Sequence, residues 1–231
     1  MDLPKEAPVM TLPSAILFPQ AMLPLFIFEK RYRLMLEEVL NGNRMFAVAL
    51  QKPGRVRESP SVIAGLGLVR ASVKNKNGTS NLILQGLTRI ELGPSVQVKP
   101  YRIHKISRIE SVSKANLDSS KLIGKLIELA SERLEQGFHY PVQFLKTQKS
   151  AQKKAAQGPM VESILQSIRY LSQLEDPEQL ADLISCTLLS NPIERQVILE
   201  TKHIENRLKH LVGFLMAEIE RNRPNSDDSN T

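Results

Sequence analysis

The sequence predicts an α+β protein whose strands come first and whose helices come last. Three observations carry that prediction. Between about residues 45 and 109 the apolar residues recur with a period near two, as they do in half-buried strands. After Ser111 the period lengthens to about 3.6, that of helices with one buried face. Two Asp/Asn-Pro steps, Asp176-Pro177 and Asn191-Pro192, then place a side-chain acceptor and a proline where helices start.

Residues 1–8 are polar and proline-spaced and read as an extended lead-in, with order beginning near Val9. Ala15–Phe18 and Met22–Phe28 are apolar and strand-like. Pro13, Pro19 and Pro24 cannot donate ladder hydrogen bonds, which assigns these strands to sheet edges or bulges. Tyr32, Met35, Leu36, Val39 and Leu40 repeat at i, i+3, i+4, i+7 and i+8, a helix that Asn41-Gly42 ends. Glu29 and Arg33 are spaced to pair on its exposed side. Met45–Leu50 is a short strand and Gln51–Ser61 a loop. Val62–Lys74 and Ser80–Leu92 flank Asn77-Gly78, where a positive φ lets a hairpin close tightly. Gly65, Gly67 and Gly86 mark bulges or close backbone packing. Gly93-Pro94 reads as a turn, and Val96–Ile109 as one or two last strands.

A domain boundary is expected near residue 115. Beyond it, Asp118 or Ser119 can cap a helix to about Glu135, followed by a lysine-rich stretch at 146–159 that lacks large apolar residues and reads as a mobile segment. The two Pro-headed helices come next. In the last helix, about Lys202 to Arg221, Ile204, Leu208, Leu211, Leu215 and Ile219 form an apolar seam, which finishes a helical bundle or pairs with another copy. The polar end, 224–231, reads as a disordered tail.

Composition narrows the function. With 231 residues, 42% of them hydrophobic, the chain can bury a core. Its longest apolar runs fall far short of the roughly 20 residues needed to span a bilayer. The first ten residues carry no basic segment leading into an apolar one, so no secretory signal and no membrane are expected, and the location is read as cytoplasmic. One cysteine, Cys186, and four histidines are poor material for a disulfide or a metal, and no cofactor is expected. Of the net charge of +7, residues 1–110 hold 16 Lys and Arg against 8 Asp and Glu, so the first half is the basic one. Such an excess can attract nucleic acid or acidic protein surfaces, or keep a domain soluble. The absence of tryptophan and the 5% aromatic content weigh against a base-stacking platform.

No motif prepares catalysis. The one Gly-Lys pair, Gly124-Lys125, has Ser119 and Leu126 where a phosphate-cradling loop needs Gly and Ser or Thr. Gly-x-Ser-x-Gly, His-Glu-x-x-His and Cys-x-x-Cys do not occur, and the chain is read as not an enzyme. His203 and His210 lie two turns apart, roughly 10 Å, too far to share a small ion, and read as surface histidines. Cys186, between Ile184 and Leu188, reads as a buried thiol. Arg89 pairs across the sheet or points into a cleft, and the first is the stronger reading.

Three stretches in order resemble the Lon substrate-binding domain. They are LPSAILFPQAMLPLFIFEKRYRLMLEEVL, IAGLGLVRASVKNKNGTSNLILQGLTRIEL and ADLISCTLLSNPIERQVILETKHIENRLKHLVGFL, and the likeness spans about residues 9–221 with a weak middle at 136–160. The resemblance implies a PUA-like β-barrel over 9–114 and a helical bundle over 115–223. It implies a free-standing member of the family without ATPase or protease modules. The function it implies is non-catalytic: an adaptor or chaperone-like module that binds unfolded or damaged proteins through exposed hydrophobic segments, with a separate protease as a partner.

Met22, Leu23, Leu25, Phe26, Phe28 and Arg31 are the candidate contact residues, although a core role for the apolar five is the stronger reading from sequence. The PUA-like fold and the basic first half support a second reading, RNA or other nucleic-acid binding through Arg55, Arg57, Arg70, Lys74 and Lys76. The sequence leaves the oligomeric state open.

Overall fold

The computed structural model describes residues 3–54, 58–112, 119–136, 166 and 168–223. The expected mobile stretch 146–159 and the tail 224–231 lie outside them, as do Arg55 and Arg57. The chain divides into two compact units, Met1–Ser113 with Asn191–Ile204, and Lys114–Ser190 with Glu205–Thr231. Together they are a mixed α and β structure containing one six-stranded sheet.

The first unit carries strands β1 (Glu6–Leu12), β2 (Met22–Ile27), β3 (Met45–Leu50), β4 (Ile63–Lys74), β5 (Ser80–Gln97) and β6 (Arg102–Arg108), with helix α1 (Lys30–Asn41) between β2 and β3. The sheet order is β2-β5-β4-β3-β1-β6, and β6 also pairs with β5. Strands β5, β4, β3, β1 and β6 therefore form a closed circuit of pairings. β2 hangs from the first half of β5, while the second half of β5 pairs with β6. The β1–β3 pair is parallel and the others are antiparallel.

Order begins earlier than expected, at Glu6, because Ala7 and Val9 are buried between β3 and β6. Ala15–Phe18 is no strand. It runs irregularly and buried across the sheet, and the strand glycines make room for it. A Cβ on Gly65 would lie 1.9 Å from the Leu17 carbonyl oxygen, and one on Gly86 would lie 1.9 Å from that of Phe18. These two are the close packing that interrupted strands suggest. Gly93-Pro94 does not end its strand either. β5 runs through it to Gln97, with the register slipping between Leu92 and Ser95. The 75–79 hairpin turns on Gly78, at φ +80°, whose N–H donates to the Asn75 carbonyl.

Helix α1 buries Tyr32, Met35, Leu36 and Val39 against Leu17, Phe46, Val69, Leu82 and Leu84. Tyr32 donates to the Thr11 carbonyl, and Tyr101 donates to Glu38 from beside β6. Burial, reinforced by the Glu38 carboxylate, pushes the Tyr101 phenol up to about 12.

Residues 191–204 belong to this strand unit, although their period groups them with the later helices. Helix α4 (Pro192–Glu200) is tied down by side chains from the sheet. Buried Arg89 donates to the Leu199 carbonyl at 3.1 Å, the Thr201 carbonyl at 3.0 Å and Ser111. Gln196 donates to the Ile63 carbonyl at 2.9 Å. Arg89 thus reaches beyond its own sheet. It meets carbonyls at a helix C-terminus, where the helix dipole favours a cation.

The second unit contains α2 (Ser120–Glu135), α3 (Pro177–Leu188) and α5 (Ile204–Arg221), and residues 168–172 are also helical. Asp176 accepts from the Glu178 N–H at 2.9 Å, and in the other unit Asn191 accepts from that of Ile193 at 2.9 Å. Ser119 stands at the N-cap of α2 without a side-chain bond to it. All five seam residues of α5 are buried, as are Leu126, Ala130 and Leu134 of α2 and Leu180 and Ile184 of α3.

Charges are buried beside them. Arg207, fully enclosed, lies 3.5 Å from Asp182 and 3.7 Å from Glu178. Glu218 meets Arg221 at 2.7 Å and Arg133 at 3.7 Å, and Ser190 donates to it at 2.9 Å. Burial alone would raise the Glu218 carboxyl, but the bonds from Arg221 and Ser190 outweigh it and hold the group below its usual value. Cys186 is only half-buried, its thiol donating to the Leu183 carbonyl.

Candidate functional site

The site is built on β2, which among the described strands pairs on one side only. Side chains alternate across a strand. On β2 the odd residues point inward: Ile27 is buried, and Leu23 and Leu25 pack on the core under α1. The even residues point outward and are apolar as well, namely Met22, Pro24 and Phe26, and Phe28 follows them past the strand end. Met22 is 57% exposed, Phe26 54% and Phe28 60%, far beyond what a core role allows. The core reading therefore holds for Leu23 and Leu25 and fails for Met22, Phe26 and Phe28.

Register extends the outward row into a surface. Phe26 sits beside Asn81 and then Val73, and Pro24 beside Ile83 and then Ala71. Met22 sits beside Gln85, which accepts a hydrogen bond from Arg70. Val73 is 64% exposed. The rings of Phe26 and Phe28 stack with centroids 5.9 Å apart. The outward face thus mixes apolar side chains with Asn81, Gln85 and Arg70.

The free edge adds main-chain polarity. Pro24 has no N–H to give, so its pair with Ile83 is a non-hydrogen-bonded one, in keeping with the Ala21 carbonyl accepting from Gly86 three residues earlier. By the same alternation the N–H and C=O groups of Met22 and Phe26 face away from β5, toward the edge that no described strand covers.

Arg31 is not an open cation. Its guanidinium meets Glu29 at 2.9 Å, is bonded to Glu58 and lies 4.3 Å from the Tyr32 ring centroid. Burial would lower its pKa, yet the bonds from Glu58 and Glu29 hold it above the usual value. Glu29 is thereby committed to Arg31 and not to Arg33, the partner its spacing suggests.

Of the five nucleic-acid candidates only Arg70, Lys74 and Lys76 lie among the described residues. Arg70 lies at the bulge between Val69 and Ala71 and bonds Gln85 on the outward face, whereas Lys74 points to the α1 side and Lys76 is exposed in the hairpin turn. Lys74 instead joins a groove of about 520 Å³ between α1 and the β4–β5 hairpin, with Lys30 and Arg33 of α1. Sequence reasoning missed those two cations. Their spacing at i and i+3 on one helix face was the available signal.

Comparison with known proteins gives this site a context. Residues 6–217 match the family described as ATP-dependent protease La (LON) substrate-binding domain. A Lon protease of Desulfosudis oleivorans is 26% identical over 94% of this chain and 24% of its own length. The Lon protease 2 of Myxococcus xanthus is 27% identical over 93% of this chain and 24% of its own. The chain thus spans about a quarter of the length of these curated relatives.

Among solved structures, the N-terminal domain of a Mycobacterium avium complex Lon protease superposes with a TM-score of 0.68 at 14% identity, covering 92% of this chain and 98% of that one. A Lon N-terminal domain protein from Xanthomonas campestris gives 0.60 at 17% identity, covering 90% and 98%. These likenesses speak to the fold. Together with the family match they confirm the resemblance carried by the three sequence stretches, and the chain belongs to the family of Lon substrate-binding domains.

Proposed function

We propose that this chain is a non-catalytic protein-recognition module that takes up extended, apolar segments of unfolded or damaged proteins at β2 and passes them on as an adaptor or chaperone-like factor, with a separate protease as the consumer. The observation that carries the reading is the outward row Met22, Pro24, Phe26 and Phe28 on a strand with a free edge. An extended peptide can add itself to such an edge through main-chain hydrogen bonds while its side chains rest on the apolar face. Natural sheets normally blunt an exposed edge with charge, and this one carries stacked phenylalanines instead. The family's description as substrate-binding supports the same reading. We further read the closed circuit of strand pairings as a PUA-like β-barrel, and the helices of 115–223 outside α4 as a bundle.

The test is capture of a reduced, carboxymethylated model protein by the purified chain carrying a photoreactive phenylalanine analogue at position 28. Crosslinks that disappear on adding the same analogue at the buried position 46 instead, and that weaken in Phe26→Ser, are the expected result. No capture at micromolar concentration, or capture that Phe26→Ser leaves unchanged, overturns the site.

A further inference from the structure

Helix α1 carries a second surface, on the side of the sheet opposite the exposed β2 row. Lys30, Arg33, Glu37 and Asn41, spaced at three and four residues, run along one face of the helix, and all four line the groove against the β4–β5 hairpin. Leu34 and Leu40 line it with them, and Leu34 is 41% exposed.

The charges are sorted along that face. Arg33 lies so close to Gly78 that a Cβ there would fall 2.1 Å from Nη2, and Lys74 pairs with Ser80, two residues beyond Gly78. Lys30, Arg33 and Lys74 therefore gather toward the N-terminal end of α1. Glu37 follows about 6 Å beyond Arg33 along the axis, at 1.5 Å per residue, and uncharged Asn41 ends the face. Neither the three cations nor Glu37 makes an ion pair among the described residues, in contrast to Arg31 next door.

A wall that is positive at one end and negative further on selects its occupant by direction as well as by charge. A helix laid antiparallel to α1 brings its C-terminal carbonyls, the negative end of its dipole, to the three cations and turns its positive end toward Glu37. Its rise per turn equals that of α1, so side chains at three and four residues stay in step with Leu34 and Leu40. A phosphate backbone following the groove would meet Glu37 after the cations. A helix whose acidic side chains are confined to its last turn would not.

We infer that the groove docks an amphipathic helix of a partner protein, antiparallel to α1, with an apolar stripe over Leu34 and Leu40 and acidic side chains of its last turn on Lys30, Arg33 and Lys74. This site is separate from the β2 row and does not depend on how that row is used. Exposed charge pairs each contribute modestly, so the acidic turn improves affinity about tenfold at low salt, a gain that salt removes.

The test is fluorescence anisotropy of the full chain with labelled 15-residue helical peptides, stapled on the solvent side and sharing one leucine stripe. One carries two Glu in its last turn, the second two Gln there, and the third the two Glu in its first turn. An unstapled copy of the first with two central prolines and a uridine decamer complete the set. The first peptide should bind about tenfold more tightly than the second and third at low salt, and the proline copy should not bind measurably. The advantage should vanish at high salt and in the triple variant Lys30→Gln, Arg33→Gln, Lys74→Gln. Lys30→Gln alone, at an exposed position, should lose about threefold and guards against a triple variant that fails to fold. A benzophenone on the central stripe should crosslink to residues 30–41 or 72–80. Equal binding of the three stapled peptides, or binding of none, overturns the inference, as do crosslinks confined to residues 22–28. A proline copy that binds as tightly as the first peptide assigns the groove to extended segments, and a uridine decamer that binds more tightly assigns it to nucleic acid; either result overturns the inference as well.

Discussion

The two units use charge and apolar surface in opposite ways. The helical unit keeps its strongest charges inside, where Arg207 faces Asp182 and Glu178, and Arg133 and Arg221 face Glu218. The strand unit has its own buried arginine, Arg89, satisfied by carbonyls. It also holds Lys30, Arg33 and Lys74 without an ion pair among the described residues, and an exposed phenylalanine pair. Paired charges in the interior tie helices together. Solvent-exposed charges add little to stability either way. The contrast separates residues that hold the molecule up from residues proposed to meet something else.

Four substitutions test that separation. Arg207→Ala should have the largest effect, destabilising the helical unit by about 3–5 kcal/mol because buried Asp182 loses the guanidinium it faces. Urea denaturation measures it, and a loss under about 1 kcal/mol would mean that the network is not structural. Gly86→Ala comes next, at about 3 kcal/mol, since the Phe18 carbonyl lies 1.9 Å from the new methyl group and main chain must move. Melting of the strand-unit signal checks it.

Glu218→Gln should cost about 2 kcal/mol at neutral pH, and its signature is pH dependence. The folded carboxyl sits below its ordinary value of 4.5, so its contribution is complete above that value and drains away as pH falls through the lower, folded one. The variant should lie below the parent at pH 7 and converge with it in acid. Parallel curves would show that the charge is not what stabilises. Smallest in stability is Phe26→Ser, expected within about 0.5 kcal/mol of the parent while weakening capture of unfolded protein. A large loss of stability there would make Phe26 a packing residue and erase the contrast.

How much of this was legible beforehand depended on the range of the interaction concerned. The caps at Asp176 and Asn191, the α1 face and the Gly78 turn are local, set by residues within four positions, and the sequence spells them out. Ala15–Phe18 misled because an apolar run reports burial and not conformation. Its partners, Gly65 and Gly86, lie some fifty and seventy residues away. The outward phenylalanines were ambiguous for a related reason, since both faces of β2 are apolar and period-two alternation gives no contrast when every residue is hydrophobic. Pro24 held the surviving clue. A residue that cannot donate belongs where no neighbour asks it to, which is the free edge. Lys30 and Arg33 were legible as charges but not as a pair of groove walls, because the opposite wall comes from a hairpin more than forty residues later.

The return of residues 191–204 to the strand unit sets an order of events for a chain emerging from the ribosome. When the first 113 residues are out, Arg89 has no Leu199 or Thr201 carbonyl to meet, and the Ile63 carbonyl lacks Gln196. At about 5–20 residues per second, some ninety further residues occupy roughly 5–20 s. For that interval the nascent sheet lacks the helix that its Arg89 and Ile63 carbonyl later engage, and is itself a partly folded protein of the kind we propose the β2 edge to hold.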